Sequence, residues 1–283
     1  MPDATSLAGL KQPPSTILRL SALALILAVL APRGGSGGAA TSGAEERTAV
    51  VELFTSQGCS SCPPADRLLA KLAHDPKYQG KVIPLSFHVD YWNYIGWQDP
   101  FSSARWSERQ KLYGARTFHS NRIFTPQVVV NGRTQCVGSE EGQVMGRIGD
   151  ALNQEPAGRV TLALEPLTPD GHLRVKVGAK MARAGGSGGT GDLDLWVAIY
   201  ESGLSTFVKE GENASRMLRN DRVVRRFEKA LTLPAAGGSE KSAEIVLGID
   251  KRWKPDALGV AAFLQDPATL AIEGAASREV ERR

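Results

Sequence analysis

Residues 50–66 read VVELFTSQGCSSCPPAD, and this stretch predicts a strand, a turn and the start of a helix in succession. The opening run VVELFT is rich in residues that favour strands, and the SQG that follows it is typical of a turn. Pro63 and Pro64 suit the first turn of a helix, where their missing N–H groups are not needed. The sequence therefore places Cys59 and Cys62 between a buried strand and a helix.

The position of these cysteines predicts thiol chemistry. A helix N-terminus exposes unpaired N–H groups and the positive end of the helix dipole, so a thiolate there has a pKa below the free value of about 8.5. We predict that Cys59 is the attacking thiol and that Cys62, one helical turn further on, resolves the mixed disulfide. This context is typical of a thioredoxin-like redox motif. The alternative is a structural disulfide, although closing so short a loop stabilises a fold little.

Strands and helices alternate up to residue 155. Strands are predicted at 50–55, 81–89, 127–130 and 133–137, and helices after Cys62 and at 101–114 and 142–153. The Asn131-Gly132 dipeptide predicts a hairpin turn. This order predicts an α/β thioredoxin-like domain over residues 45–155, with a mixed central sheet flanked by helices.

The pattern changes after residue 155. Alternating segments separated by Gly-rich or Pro-rich breaks occur at 159–164, 172–179, 194–199, 243–248 and 259–264. Several short strands with turn signals between them favour a sandwich. We therefore predict an all-β, sandwich-like C-terminal domain over residues 156–283.

Residues 1–44 are typical of a signal peptide followed by a flexible linker. Lys11 and Arg19 precede an apolar run, Leu20–Leu30, which leads into a stretch rich in Gly, Ser and Ala. The run is shorter than the roughly 20 residues that span a bilayer, so we predict cleavage and a periplasmic or secreted protein. An uncleaved anchor is the alternative, and it would be the chain's predicted contact with a membrane. Export would place the cysteines in an oxidising compartment.

Composition and charge exclude some classes of function. The net charge is only +4, and no long basic stretch carries interleaved aromatic residues, so we predict no nucleic-acid partner. No glycine-rich dinucleotide fingerprint or P-loop occurs, so we predict no organic cofactor.

Four segments carry a resemblance to a known family. They are VVELFTSQGCSSCPPAD at 50–66, HVDYWNYIGWQDPFSS at 88–103, FTPQVVVNGR at 124–133 and GENASRMLRNDRVVR at 211–225. Together they resemble the DUF1223 family of bacterial secreted proteins, over nearly the whole chain that follows the N-terminal segment. The resemblance implies a thioredoxin-like domain in an exported bacterial thiol-disulfide oxidoreductase.

Five further residues are candidates for the site. In thioredoxin-like folds a cis proline packs beside the two cysteines, so the resemblance implies a cis Thr125–Pro126 bond, with Pro126 shaping a substrate groove. Glu52 could be a buried proton acceptor behind the cysteines, or a charge on the exposed face of its strand. Trp92 and Trp97 belong to an aromatic segment that could form a wall for an unfolded peptide or pack in the core.

Three other features allow two interpretations each. His88 and Asp90 share one strand face, as a base–acid pair or as a structural pair. Cys136 is a buried apolar side chain, or a third thiol that forms mixed disulfides or completes a metal site with Cys59 and Cys62. Such a site would need His88 or His119 as its fourth ligand. The paired spacing of metal ligands is absent, so we predict no metal. The basic run 216–226 is a solvated face, or it meets an acidic partner or another domain.

The sequence thus predicts an exported thiol-disulfide oxidoreductase that acts on protein or small-molecule thiols and disulfides with a further redox partner. The C-terminal domain would recruit the substrate or that partner. Two alternatives stay open: a non-catalytic periplasmic binding protein on a thioredoxin-like scaffold, and a metallochaperone that uses Cys59 and Cys62. The Ser60-Ser61 dipeptide does not decide between oxidant, reductant and isomerase.

Overall fold

The structure is a computed structural model that describes residues 47–182, 191–234 and 236–281. The predicted signal peptide and linker at 1–44 lie outside the described residues. The α-helices are α1 (Pro63–His74), α2 (Ala104–Arg116) and α3 (Glu141–Asn153). The strands are β1 (Ala49–Thr55), β2 (Val82–His88), β3 (Gln127–Val130), β4 (Thr134–Val137), β5 (Gly158–Leu164), β6 (His172–Met181), β7 (Leu193–Glu201), β8 (Leu204–Val208), β9 (Arg216–Asn220), β10 (Val223–Leu233), β11 (Glu240–Gly248), β12 (Leu258–Gln265) and β13 (Ile272–Glu279). Among the helices of these ranges, none has the length and apolar character needed to cross a membrane.

Eight strands form one mixed sheet in the order β13-β12-β7-β10-β2-β1-β3-β4. β1 runs parallel to β2, while β3 runs antiparallel to β1 and β4 antiparallel to β3. Asn131 and Gly132 both have positive φ, at 46° and 65°, which is the conformation that an Asn-Gly hairpin turn requires. The strands and helices predicted up to residue 155 are confirmed, with shifts of a few residues at their ends.

The predicted fold class, a helix-flanked thioredoxin-like domain followed by a separate all-β sandwich, is wrong. β10 lies beside β2 and pairs Val223 with Ser86, and the Ser86 N–H donates to the carbonyl oxygen of Arg222 at 2.8 Å. Strands from the C-terminal half therefore continue the sheet that the N-terminal half begins. The physical reason lies in β2, whose seven residues are all buried, so that the polar groups along its outer edge need partners other than water.

The second half of the chain still contributes two sheets that face each other. A three-stranded antiparallel sheet, β11-β6-β5, packs on one face of the large sheet at β7 and β12. The apolar cluster between them includes Leu162, Val175, Leu195 and Val260. One layer of this sandwich is thus the large mixed sheet itself. β8 and β9 pair only with each other among the described strands and form a separate hairpin.

The helices occupy both faces of the large sheet. Val51 and Leu53 of β1 belong to the cluster beneath α1 and α3, whereas Val50 and Phe54 belong to the cluster beneath α2. This alternation follows from the two-residue repeat of a strand. β1 and β2 are parallel, so the loop that joins β1 to α1 starts where the carboxyl ends of both strands lie together. Open α/β sheets commonly form their sites at this edge.

Candidate functional site

Cys59 and Cys62 form a disulfide in the loop between β1 and α1, with their Cα atoms 5.5 Å apart. Cys62 is the N-cap residue of α1, and the N–H groups of Ala65 and Asp66 donate to its carbonyl oxygen. Prolines occupy the first positions of the helix, as predicted from their missing N–H groups. The pair therefore lies at the electropositive end of α1.

The Thr125–Pro126 peptide lies beside the disulfide, and its bond is cis, as expected from the resemblance. Cys59 Sγ is 3.8 Å from the carbonyl oxygen of Thr125. Ser61 Oγ is 3.3 Å from Cys59 Sγ and donates to the same Thr125 oxygen at 3.5 Å. The structure thus brings together Cys59, Cys62, Thr125 and Pro126.

Trp92 and Trp97 contact the same region. Trp92 Nε1 donates to Thr125 Oγ1 at 2.7 Å, and Trp97 Nε1 donates to Gln57 Oε1 at 3.2 Å. Both residues are half-buried, so each one packs against the disulfide loop while keeping part of its surface open. Their contribution to peptide binding stays a prediction.

The turn between β8 and β9 lies against the disulfide loop. Asn213 Nδ2 donates to the carbonyl oxygens of Gln57 and Cys59, each at 2.9 Å. Glu212 Oε2 accepts a hydrogen bond from the Ser60 N–H at 2.9 Å. With this turn in place Cys59 is only 1% exposed. A reacting thiol can therefore reach the Cys59 sulfur only when groups packed around the disulfide loop, this turn among them, move.

A buried carboxyl group lies one helical turn after Cys62. Asp66 is 7% exposed, and its Oδ1 accepts a hydrogen bond from Thr55 Oγ1 at 2.9 Å. Residues four apart on a helix share a face, with Cβ atoms about 5–6 Å apart, so this carboxyl group is close to Cys62. Burial raises the pKa of Asp66 from 3.8 to about 7, against the opposing effects of His88 and the Thr55 hydrogen bond.

Sequence reasoning missed Asp66. The signal that could have found it is its spacing, because Asp66 follows Cys62 by four residues and shares the buried helix face with Leu69 and Ala73. A carboxyl group on the apolar face of a helix is rarely buried without a specific role or partner.

His88 and Asp99 form a second buried pair on the same side of the sheet. His88 lies opposite Thr55 in the β1–β2 register, and its Nδ1 is 2.8 Å from Asp99 Oδ2. Burial opposes the imidazolium, but the charge and hydrogen bond of Asp99 outweigh it and raise the pKa of His88. His88 Nε2 is buried with no hydrogen-bond partner among the described residues. Asp99, and not the Asp90 considered from the sequence, therefore holds His88.

Glu52 lies on the other face of β1, beneath α2. Its carboxylate accepts hydrogen bonds from Arg109 Nε and Nη2 and from the Tyr113 hydroxyl, all at 2.7 Å. Burial opposes the guanidinium charge, yet Glu52 outweighs that effect and holds the pKa of Arg109 above its usual range. Because Glu52 and Thr55 are three residues apart on a strand, they point to opposite faces, and the structure does not bring Glu52 to the cysteines.

Cys136 is a free, buried cysteine on β4, opposite Val128. It belongs to the apolar cluster beneath α1 and α3, which agrees with its interpretation as a buried apolar side chain. Burial raises the pKa of its thiol. Within the described part of the chain, no group of three or more His, Cys, Asp or Glu side chains is arranged to hold a metal ion.

The basic run 216–226 divides into two kinds of residue. Arg216 and Arg219 are exposed, as expected for a solvated face. Arg222 and Arg225 are not, since their side chains are only 13% and 19% exposed. Arg222 pairs with Glu279 at 2.7 Å and connects two distant parts of the chain.

These features define a mixed α/β protein in which a disulfide-bonded Cys-x-x-Cys pair begins a helix at one end of an eight-stranded sheet. The model of the family "Protein of unknown function (DUF1223)" matches residues 50–265, and the chain belongs to this family. A search of curated proteins found no match.

Two solved structures are similar over most of the chain. One is the crystal structure of a protein from Agrobacterium tumefaciens, with 29% identity and a TM-score of 0.61, covering 85% of this chain and 99% of that one. The other is HBP35 of Porphyromonas gingivalis, with 16% identity and a TM-score of 0.58, covering 84% of this chain and 76% of that one. The second likeness concerns the fold alone.

Proposed function

We propose that this chain is an exported thiol-disulfide oxidoreductase that exchanges the Cys59–Cys62 disulfide with the thiols of a protein or small-molecule substrate. The observation that carries the proposal is the placement of the disulfide at the N-terminus of α1, with the Cys59 sulfur 3.8 Å from the Thr125 carbonyl oxygen. A disulfide that closes so short a loop stabilises the fold little. A helix N-terminus lowers the pKa of a thiol, which favours a reactive cysteine.

Oxidation of a substrate dithiol takes two exchanges. A substrate thiolate attacks Cys59 Sγ, a mixed disulfide forms, and Cys62 leaves as a thiolate that takes the proton of Asp66. A second substrate thiolate then attacks the substrate sulfur of the mixed disulfide, and Cys59 leaves. Two electrons pass from the substrate to the cysteine pair, while the two substrate protons end on Cys62, through Asp66, and on Cys59 or water. The reverse sequence reduces a substrate disulfide.

Groups around Cys59 support its role as the sulfur that exchanges with substrate. In the reduced state the Ser61 hydroxyl, 3.3 Å from Cys59 Sγ, can donate to the thiolate, and the dipole of α1 adds to this effect. Cys62 is fully buried, and the buried Asp66 follows it by one helical turn. An acid with a pKa of about 7 can give and take a proton at neutral pH, which suits the resolving cysteine.

Export is part of the proposal, although the segment that supports it, residues 1–44, lies outside the described residues. That support comes from the basic residues, the apolar run and the small residues of the segment. An oxidising compartment would keep the pair in the disulfide form between reactions.

The test compares two variants, each of which lacks one cysteine of the pair. Reduced Cys62→Ser and Cys59→Ser proteins are mixed with a peptide disulfide, and adducts are identified by mass spectrometry. We expect a stable mixed disulfide on Cys59 in the first variant and little or none in the second. Cys136→Ser, in the otherwise intact chain, is the matched control and should exchange like the wild type. Absence of an adduct on Cys59 would contradict the proposal.

A further inference from the structure

An open groove lies beside the disulfide, between α1 and β9. Its volume is about 440 Å³, which lies within the roughly 300–1,000 Å³ of ligand pockets. The groove starts at Ser60, the residue directly after Cys59. Anything bound in it would therefore contact the loop that carries Cys59 and Cys62.

Part of the groove surface is apolar. Pro63 and Pro64 line it from α1, and Met217 and Leu218 line it from β9. Met217 is 61% exposed, which is unusual for so apolar a side chain and leaves its flexible thioether free for contact. This surface suits the aliphatic part of an extended chain.

Two arginines give the groove its charge. Arg67 of α1 and Arg216 of β9 line it from opposite sides, and both are exposed. Neither guanidinium forms a salt bridge with another described residue; Arg216 Nη1 donates one hydrogen bond, to Asn213 Oδ1 at 3.1 Å. None of the described residues that line the groove is acidic. The groove is therefore complementary to negative charge.

A carboxylate of the chain itself lies next to the start of the groove, although it does not line it. Glu212 reaches Ser60 from the β8–β9 turn and accepts the hydrogen bond of its N–H at 2.9 Å. This contact lowers the pKa of Glu212, as expected for a carboxylate bound by donors. The backbone at Ser60 can therefore bind a carboxylate of a substrate in the same way, once the turn moves.

We propose that this groove, which we call the arginine groove, binds an acidic stretch of a substrate polypeptide next to its reactive cysteine. The inference rests on the proposed function and names the class of substrate. Carboxylates of the substrate pair with Arg67 and Arg216, its aliphatic groups contact Pro63 and Met217, and one carboxylate replaces Glu212 at the Ser60 N–H. The same acidic stretch thereby helps to move the turn that contacts the disulfide loop.

The test uses two dithiol peptides that differ only in three residues next to a cysteine, glutamates in one and lysines in the other. The oxidised protein oxidises each peptide, and kcat/KM is measured for both. The acidic-to-basic ratio is then compared among the wild type, Arg67→Glu/Arg216→Glu and Arg219→Glu. Comparing ratios cancels the intrinsic difference between the peptide thiols. Arg219 is the matched control, because it is exposed on β9 but does not line the groove.

We expect the ratio to fall at least about tenfold in the double variant, since two attractive contacts become repulsive, and to stay within about twofold in Arg219→Glu. Arg67→Glu alone, which leaves the Arg216 contact intact, should lower it about threefold. An unchanged ratio in both groove variants would overturn the inference. Dithiothreitol, which is neutral, separates the two proposals: if it also fails to reduce the disulfide, the proposed function itself fails.

Discussion

Thr55 and Asp66 are joined by a buried hydrogen bond, from Oγ1 to Oδ1 at 2.9 Å, that links the end of β1 to the first turn of α1. The bond holds the Asp66 carboxyl group on the face of α1 that lies one turn after Cys62, the N-cap residue. Because burial raises its pKa to about 7, this group changes its protonation in the pH range where thiol exchange takes place.

The first prediction concerns stability and pH. Burial raises the pKa of Asp66 to about 7 in the folded chain, from the ordinary value of 3.8 that applies to the unfolded chain. Between these two pH values the folded state binds more protons than the unfolded state, so the free energy of unfolding falls as the pH rises. Asn does not titrate. The free energy of unfolding of Asp66→Asn, relative to the wild type, should therefore rise by up to about 1.4 kcal/mol per pH unit between pH 5 and pH 7. Urea unfolding at several pH values measures it; Asp150→Asn, at an exposed site on α3, is the control. A difference in the free energy of unfolding that does not change with pH would show that Asp66 does not titrate in this range.

The second prediction separates Asp66 from Glu52. Asp66→Asn should slow reduction of the disulfide by dithiothreitol about tenfold or more below pH 7, per unit of reagent thiolate, because the departing Cys62 thiolate loses its proton donor. Glu52→Gln should leave the pH profile unchanged, since the Glu52 carboxylate is bonded to Arg109 on the other face of the sheet. Stopped-flow measurement of the rate from pH 5 to pH 9 checks both. The opposite pattern would assign the proton to Glu52.

The third prediction concerns access to Cys59. Glu212→Ala removes the hydrogen bond to the Ser60 N–H and should speed reduction by dithiothreitol about 3- to 10-fold, because the turn opens at a lower cost in free energy. Glu210→Ala, in the same exposed loop, is the matched control and should react like the wild type. Equal rates in all three proteins would mean that the turn does not limit access.

The fourth prediction concerns the Cys59 thiolate. In the reduced protein Ser61→Ala should raise the pKa of Cys59 by about one unit, since the hydroxyl 3.3 Å from the sulfur no longer donates to the charged form. The pH dependence of Cys59 alkylation measures this pKa. Ser60→Ala is the neighbouring control, and an effect as large there would argue against a specific role for Ser61.

Local elements could be predicted because their signals are local. The apolar run before Gly58, the prolines after Cys62 and the Asn131-Gly132 turn each fix a strand end, a helix start or a hairpin within a few residues. The cis bond at Pro126 followed from the resemblance. These features were enough to place the disulfide at the start of α1.

The pairing of β10 with β2 could not be predicted, because it joins residues far apart in the sequence through backbone groups. The Ser86 N–H donates to the carbonyl oxygen of Arg222 at the edge of β2. The arginines at 216–226 favoured a solvated face, so no signal in the sequence indicated β9 and the start of β10, which this segment forms. The turn between β8 and β9, which precedes β10 in the chain, carries Asn213. The Asn213 side chain donates a hydrogen bond to the carbonyl oxygen of Cys59. Side chain to backbone contacts across some 150 residues leave no periodic pattern in a sequence.

The reduction potential of the Cys59–Cys62 couple distinguishes a redox-active pair from a structural disulfide. The protein is equilibrated in buffers of defined glutathione or dithiothreitol ratio, and the reduced fraction is measured by alkylation and mass spectrometry. We expect a reversible two-electron transition between about −120 and −270 mV, the range of known thiol-disulfide oxidoreductases. A pair that stays oxidised until about −300 mV or below would be a structural disulfide, which would contradict the proposed function.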